Sequence, residues 1–225
     1  MPSPPAPVSD RVNHNFSFQW AEINRAATLF VLLLASSFIL GMIERINSSP
    51  WPEAVVSGVN ALIVLGFAGL RHKEIVALLG VPRIAWRNAI ELTLLSLALL
   101  ALMSIYFALI EYLGVPMLRA ASEFQKARWG LGAMVVLVSL MPAVVEEMAF
   151  RGVIQSSLEH VFDWREAWII QAALFSVLHL LPMMFPSHFV IGLGLGYLRH
   201  RSKSLYPGMV LHASWNALVL FQELS

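Results

Sequence analysis

Seven apolar runs, separated by short charged stretches, dominate this chain. They cover Ala26 to Ile43, Ala54 to Leu70, Ala89 to Ile110, a run starting near Gly130, Ala167 to Leu181, Phe185 to Leu198 and Leu205 to Phe221. Such blocks are what helices need to cross a hydrocarbon layer of about 30 Å. Of the 225 residues, 58% are apolar and 13% charged, well under the roughly 25% charged of a soluble domain. The chain therefore reads as an all-α, polytopic membrane protein with about seven transmembrane helices, within a range of six to eight. The last three runs are marginal in length, which tilt or protection by neighbouring helices accommodates.

Lys and Arg in the loops set orientation. With the N-terminus cytoplasmic, Arg45, Arg119, Lys126 and Arg128 fall outside and the other eleven of the 15 basic residues fall inside. The expected topology is N-in. Residues 1–24 read as an N-terminal tail that opens on the Pro-rich Met1–Pro7. It lacks the basic start of a cleavable signal peptide, so the first span is expected to act as an uncleaved anchor. The segment Arg71 to Arg87 mixes basic and apolar residues and suits an amphipathic stretch at the cytoplasmic interface. An ordinary positive-inside loop fits it equally. There are no cysteines, so disulfides, a thiolate nucleophile and Cys-based metal sites are excluded. A net charge of +1 gives no reason to expect nucleic acid.

No linker divides the chain, so residues 1–225 form one integral-membrane domain. Its polar chemistry is confined to one half, about residues 130–222. Glu146 and Glu147 stand side by side in an apolar setting, with Arg151 one turn on. Glu147 and Arg151, four apart, share a helix face and can pair; Glu146 points about 100° away. Ionisable groups are costly inside a bilayer and are rarely kept there without a role. Burial favours the protonated form of a carboxylate, which suits a general base or acid near neutral pH. An ion pair at a helix end is the plainer alternative. Pro142 either bends this helix or begins a new segment. Phe175 and His179 share one face of a later run, and His212 and Asn216 share a face of the last. His179 can exchange a proton, while His212 and Asn216 can donate to an oxyanion. His14, His72, His160, His188 and His200 fall at ends or in loops and receive no role. Gly192 and Gly196 read as a close-packing pair.

Together, Glu146-Glu147-x-x-x-Arg151, Phe175-x-x-x-His179 and His212-x-x-x-Asn216, in this order, resemble the CAAX prenyl protease and bacteriocin-processing (CPBP, or Abi) family of intramembrane endopeptidases. The resemblance covers about residues 130–222. It implies that Glu146 and His179 activate the attacking water and that His212 and Asn216 form the oxyanion hole. Glu147, Arg151 and Phe175 would support the site. Both a metalloprotease and a metal-free glutamate mechanism have been described for the family. Glu146, His179 and His212 could supply a zinc set, but Asn216 beside His212 makes better sense as an oxyanion pair, which favours the metal-free account. The expected partners are membrane lipids and a membrane-associated peptide or protein, a prenylated C-terminal tail being one candidate. A proton-coupled transporter and a non-catalytic scaffold of the same fold are the alternatives.

Counted along simple spans, Glu146 falls near the cytoplasmic end of the fourth and His179 near the far end of the fifth. For them to meet, the fourth helix must continue past Arg151 toward His160, or the backbone must re-enter at Leu181 to Pro186. Irregular backbone is tolerated at that depth only where it lines a cavity.

Overall fold

A computed structural model describes residues 8–44, 49–82, 84, 86–115 and 120–224. Among them the chain is all-α and holds no strand. The helices are α1 (Val8–Glu44), α2 (Pro50–Leu70), α3 (His72–Leu78), α4 (Trp86–Tyr112), α5 (Ala120–Lys126), α6 (Leu131–Glu159), α7 (Trp164–Leu178), α8 (Phe185–Ser202) and α9 (Tyr206–Leu224). The segment set apart as a tail is helical from Val8 onward. Met1–Pro7, and Arg45, Arg83 and Arg119 of the charge argument, lie outside the described residues, as does the side chain of Arg11.

Among the described residues four helices are long and apolar enough to cross a membrane: α2, α6 and most of α1 and α4. The remaining expected spans are α7, α8 and α9. At 15 residues, α7 reaches only about 22 Å. A capping box starts it: Asp163 accepts from the backbone N–H groups of Arg165 (2.7 Å) and Glu166 (3.1 Å), and Glu166 accepts from that of Asp163 (3.1 Å). The helix stops at His179. Leu180 then takes a left-handed φ of 56°, a 3-10 turn covers Pro182–Met184, and α8 runs back antiparallel. Trp164 stacks on His200 at 4.3 Å. The Trp168 indole donates to the Leu193 carbonyl at 2.6 Å, and the Gln171 amide to that of Gly192 at 3.0 Å. The two helices thus form a hairpin whose bend lies at His179.

A polar belt marks the end of the bundle from which this hairpin enters. Glu22 of α1 is buried against Arg25 and Arg71, Arg71 also meets Glu74, Arg199 binds Glu159 at 2.6 Å and Ser156 at 2.7 Å, and Arg201 binds Glu91 at 2.9 Å. The short α3 of the basic segment belongs to this belt. Its buried Ile75 packs against Gly152 of α6, and Leu78 accepts a backbone hydrogen bond from Leu205 at 2.9 Å.

Both proposed solutions to the depth problem are present. α6 runs through 29 residues to Glu159, so Glu146 lies near its middle, about 20 Å along the axis from Glu159. The re-entrant bend at residues 179–184 brings His179 to the same level. α6 is also irregular: Val135–Leu140 and Glu147–Ile154 are π-helical, on either side of Pro142. Proline contributes no N–H to the ladder, and π turns are frequent at functional sites.

Gly192 and Gly196 pack as expected. A Cβ at Gly192 would lie 3.1 Å from the Ala172 Cα, and one at Gly196 2.7 Å from the Trp168 ring, whereas one at Gly66 would meet nothing. The Ala172 backbone cannot yield, so Gly192→Val should cost about 1–3 kcal/mol from overpacking. Thermal unfolding in detergent checks this, with Gly66→Ala expected to unfold like wild type.

Candidate active site

Arg151 is the group that most needs explaining, since its side chain is 0% exposed inside the bundle. The i, i+4 spacing delivers its first partner, Glu147, also 0% exposed, at 3.0 Å. Its second nitrogen donates to the Gly192 carbonyl of α8 at 3.3 Å. Its guanidinium lies 4.4 Å from the Phe175 ring centroid, a cation–π contact. Phe175 is therefore a floor for the site, and its ring also meets His179, His188 and His212 at 5.1, 6.1 and 5.8 Å.

His212 joins the cluster from α9. Its Nδ1 lies 3.2 Å from Glu147 Oε1, and its Nε2 lies 3.8 Å from Glu146 Oε2. The imidazole therefore sits between the two carboxylates. The approach of α9 depends on Gly208, where a Cβ would stand 2.6 Å from Glu147 Oε2. No residue type larger than glycine fits there while Glu147 holds both Arg151 and His212.

Beside this cluster is a cavity of about 60 Å³ that gathers Glu146, His179, His212 and Asn216, together with Phe175, Ser187 and His188. Its remaining walls include Phe107 and Trp215, whose rings are 5.3 Å apart. The four residues singled out as catalytic thus come together from α6, α9 and the end of α7. Asn216 follows His212 by one turn on the cavity side, as the spacing required. Each of the supporting residues Glu147, Arg151 and Phe175 lies behind or beneath it.

His188, grouped with the histidines at ends or in loops and given no role, lies in the first turn of α8 and lines the cavity, its ring centroid 3.8 Å from that of His179. The signal was in the sequence: His188, Gly192 and Gly196 recur every four residues, so His188 shares the face that packs on α7. Both rings face backbone carbonyls through Nδ1, Phe175 at 3.0 Å for His179 and Met184 at 2.9 Å for His188. A carbonyl only accepts, so Nδ1 carries the proton and Nε2 keeps the lone pair in the neutral ring.

Glu146, His179 and His212, the candidate zinc donors, line the same cavity, but among the described residues no three His, Asp or Glu groups stand close enough together to hold a metal ion.

A helical bundle with four apolar helices of membrane-crossing length among the described residues is that of an integral membrane protein. Residues 128–218 match the family model described as type II CAAX prenyl endopeptidase, Rce1-like. Over these residues the chain is similar to the CAAX protease (CPBP) family, a likeness that supports a protease-type hydrolase. No curated protein and no solved structure matches it.

Removing one partner of a buried charge pair leaves the other uncompensated. Arg151→Leu should cost about 3–5 kcal/mol, and adding Glu147→Gln should recover part of it. Thermal unfolding of the single and double variants checks the coupling.

Proposed function

We propose that this protein hydrolyses peptide bonds of membrane-associated peptides or proteins, prenylated C-terminal tails among them, by a metal-free glutamate mechanism. The observation that carries this reading is the single cavity containing Glu146, His179, His212 and Asn216. Glu146 takes a proton from water as the water oxygen bonds to the carbonyl carbon. The displaced π electrons move to the carbonyl oxygen, which His212 and Asn216 stabilise by hydrogen bonding. Collapse of the tetrahedral intermediate breaks the C–N bond, and the leaving nitrogen receives a proton from Glu146 or through His179.

The pairing of His212 with Glu147 adds a requirement. With Nδ1–H directed at Glu147, Nε2 can donate to an oxyanion only if the ring carries both protons. Two carboxylates, Arg151 and a doubly protonated His212 then sum to zero charge. Glu147 therefore acts by holding and balancing His212, with no contact to the substrate. His188 acts as a positioning residue that fixes the ring plane of His179. The N-terminus and the polar belt lie on the cytoplasmic side in this reading, by the distribution of basic residues.

Glu146→Gln keeps the shape but removes the base, and should lower turnover of lipidated peptides by at least about 10²-fold. Mass spectrometry of new peptide termini checks this; identical product patterns from wild type and variant would remove Glu146 from the mechanism. Wild-type activity should survive exhaustive chelation, and loss restored by zinc alone would overturn the metal-free account. His188→Ala should lower kcat roughly tenfold to hundredfold with little change in KM, the cost of a misplaced catalytic group.

A further inference from the structure

We propose that a second, water-filled cavity behind Glu146, walled by α1 and α2, supplies the water that the enzyme consumes. The catalytic use of that water rests on the peptidase reading; the presence of the water does not.

The cavity has a volume of about 70 Å³ and lies where Ser37 of α1 and Ser57 and Asn60 of α2 face Pro142 and Glu146 of α6. It shares one lining residue with the substrate cavity, Glu146. The carboxylate is thus the wall between two spaces. One holds the histidines and Asn216; the other sets Ser37, Ser57 and Asn60 into a lining that is otherwise apolar, with Leu33, Val145 and Leu178 among it. The first helices, which looked chemically empty in sequence, bring three polar side chains to the back of the base.

The chemistry of the lining selects the occupant. A lipid chain offers nothing to two hydroxyls, an amide and a carboxylate, whereas a water molecule needs two to four polar partners and a space of only about 10–15 Å³. Ser36 stands 2.6 Å from the Asn60 amide and 2.8 Å from the Leu33 carbonyl. Ser36 has one proton and so fixes one end of the amide, leaving the other for the cavity. Glu146 Oε2, the oxygen 3.8 Å from His212 Nε2, is buried and makes no hydrogen bond within the protein, so the carboxylate has acceptor capacity to spare. The arrangement also solves a problem of supply. A cavity of about 60 Å³ that has closed on a peptide leaves solvent no way past the peptide to Glu146. Entry from the opposite side needs no substrate movement.

The cysteine-free chain permits a direct test. Ser37→Cys, Ser57→Cys and, as a lipid-facing control, Leu62→Cys (72% exposed) are placed in liposomes and treated with 2-aminoethyl methanethiosulfonate. This reagent attacks thiolates, which form in water and not in hydrocarbon, so the two cavity cysteines should react at least about tenfold faster than the control. Reaction no faster than that of Leu62→Cys would overturn the cavity. Activity supplies the second arm. Asn60→Leu fills the space and removes a water partner, and should lower kcat about tenfold at unchanged KM, whereas Leu62→Ala, on the lipid-facing side of the same helix, should stay near wild type. An Asn60→Leu variant that keeps wild-type kcat would overturn the supply role. Fast labelling in a wild-type background that cleaves no lipidated peptide would instead sink the peptidase reading and, with it, the use of the water.

Discussion

A guanidinium with no access to water is the constraint around which this bundle is arranged. Arg151 must be neutralised and hydrogen-bonded where it lies, because an unpaired charge in such surroundings is far more costly than any packing defect. Glu147 supplies the opposite charge, Gly192 a carbonyl and Phe175 a ring face. These partners come from α6, α8 and α7. Satisfying one side chain therefore fixes the relative placement of three helices. His212, drawn in by the same carboxylate, adds the fourth. Glu146, the base of the proposed mechanism, occupies the position before Glu147 on α6 and inherits a rigid setting without being part of the ion pair.

Two departures from ideal helix geometry make that setting reachable. The α7–α8 hairpin turns back just after His179, so that a histidine from its bend shares a cavity with a glutamate from the middle of another helix. The π turns on either side of Pro142 widen α6 where it carries the carboxylates. Glycines then let the backbones close. Gly192 admits the Ala172 backbone and Gly208 admits the Glu147 carboxylate. Each is a place where the chain gives up side-chain volume so that a polar contact can form.

Local spacing revealed what lies on one helix. The Glu147–Arg151 pair, the shared face of His212 and Asn216, and the packing face of Gly192 and Gly196 are consequences of a 3.6-residue period and were readable from residue numbers. Contacts between helices were less so. That His212 lies between the two carboxylates depends on the approach of α9, which the sequence records only as a single unremarked glycine, Gly208. His188 was discounted as one of the histidines at ends or in loops, although its four-residue spacing to Gly192 gave its face. Asn60 escaped notice since one amide in an apolar run carries no motif. The number of spans was the weakest inference: an apolar run has the same composition whether its helix crosses the bilayer or turns back inside the protein.

The length of α6 has a physical consequence of its own. Its 29 residues extend about 43 Å against a hydrocarbon thickness of about 30 Å. Such hydrophobic mismatch is relieved by tilting, or by thickening the surrounding lipid, at fractions of a kcal/mol per Å. Glu146 lies near the centre of this helix, while His179 ends a helix of 15 residues. Tilt of α6 moves the carboxylate relative to a histidine carried by this shorter helix, so the thickness of the host membrane bears on how the two are aligned.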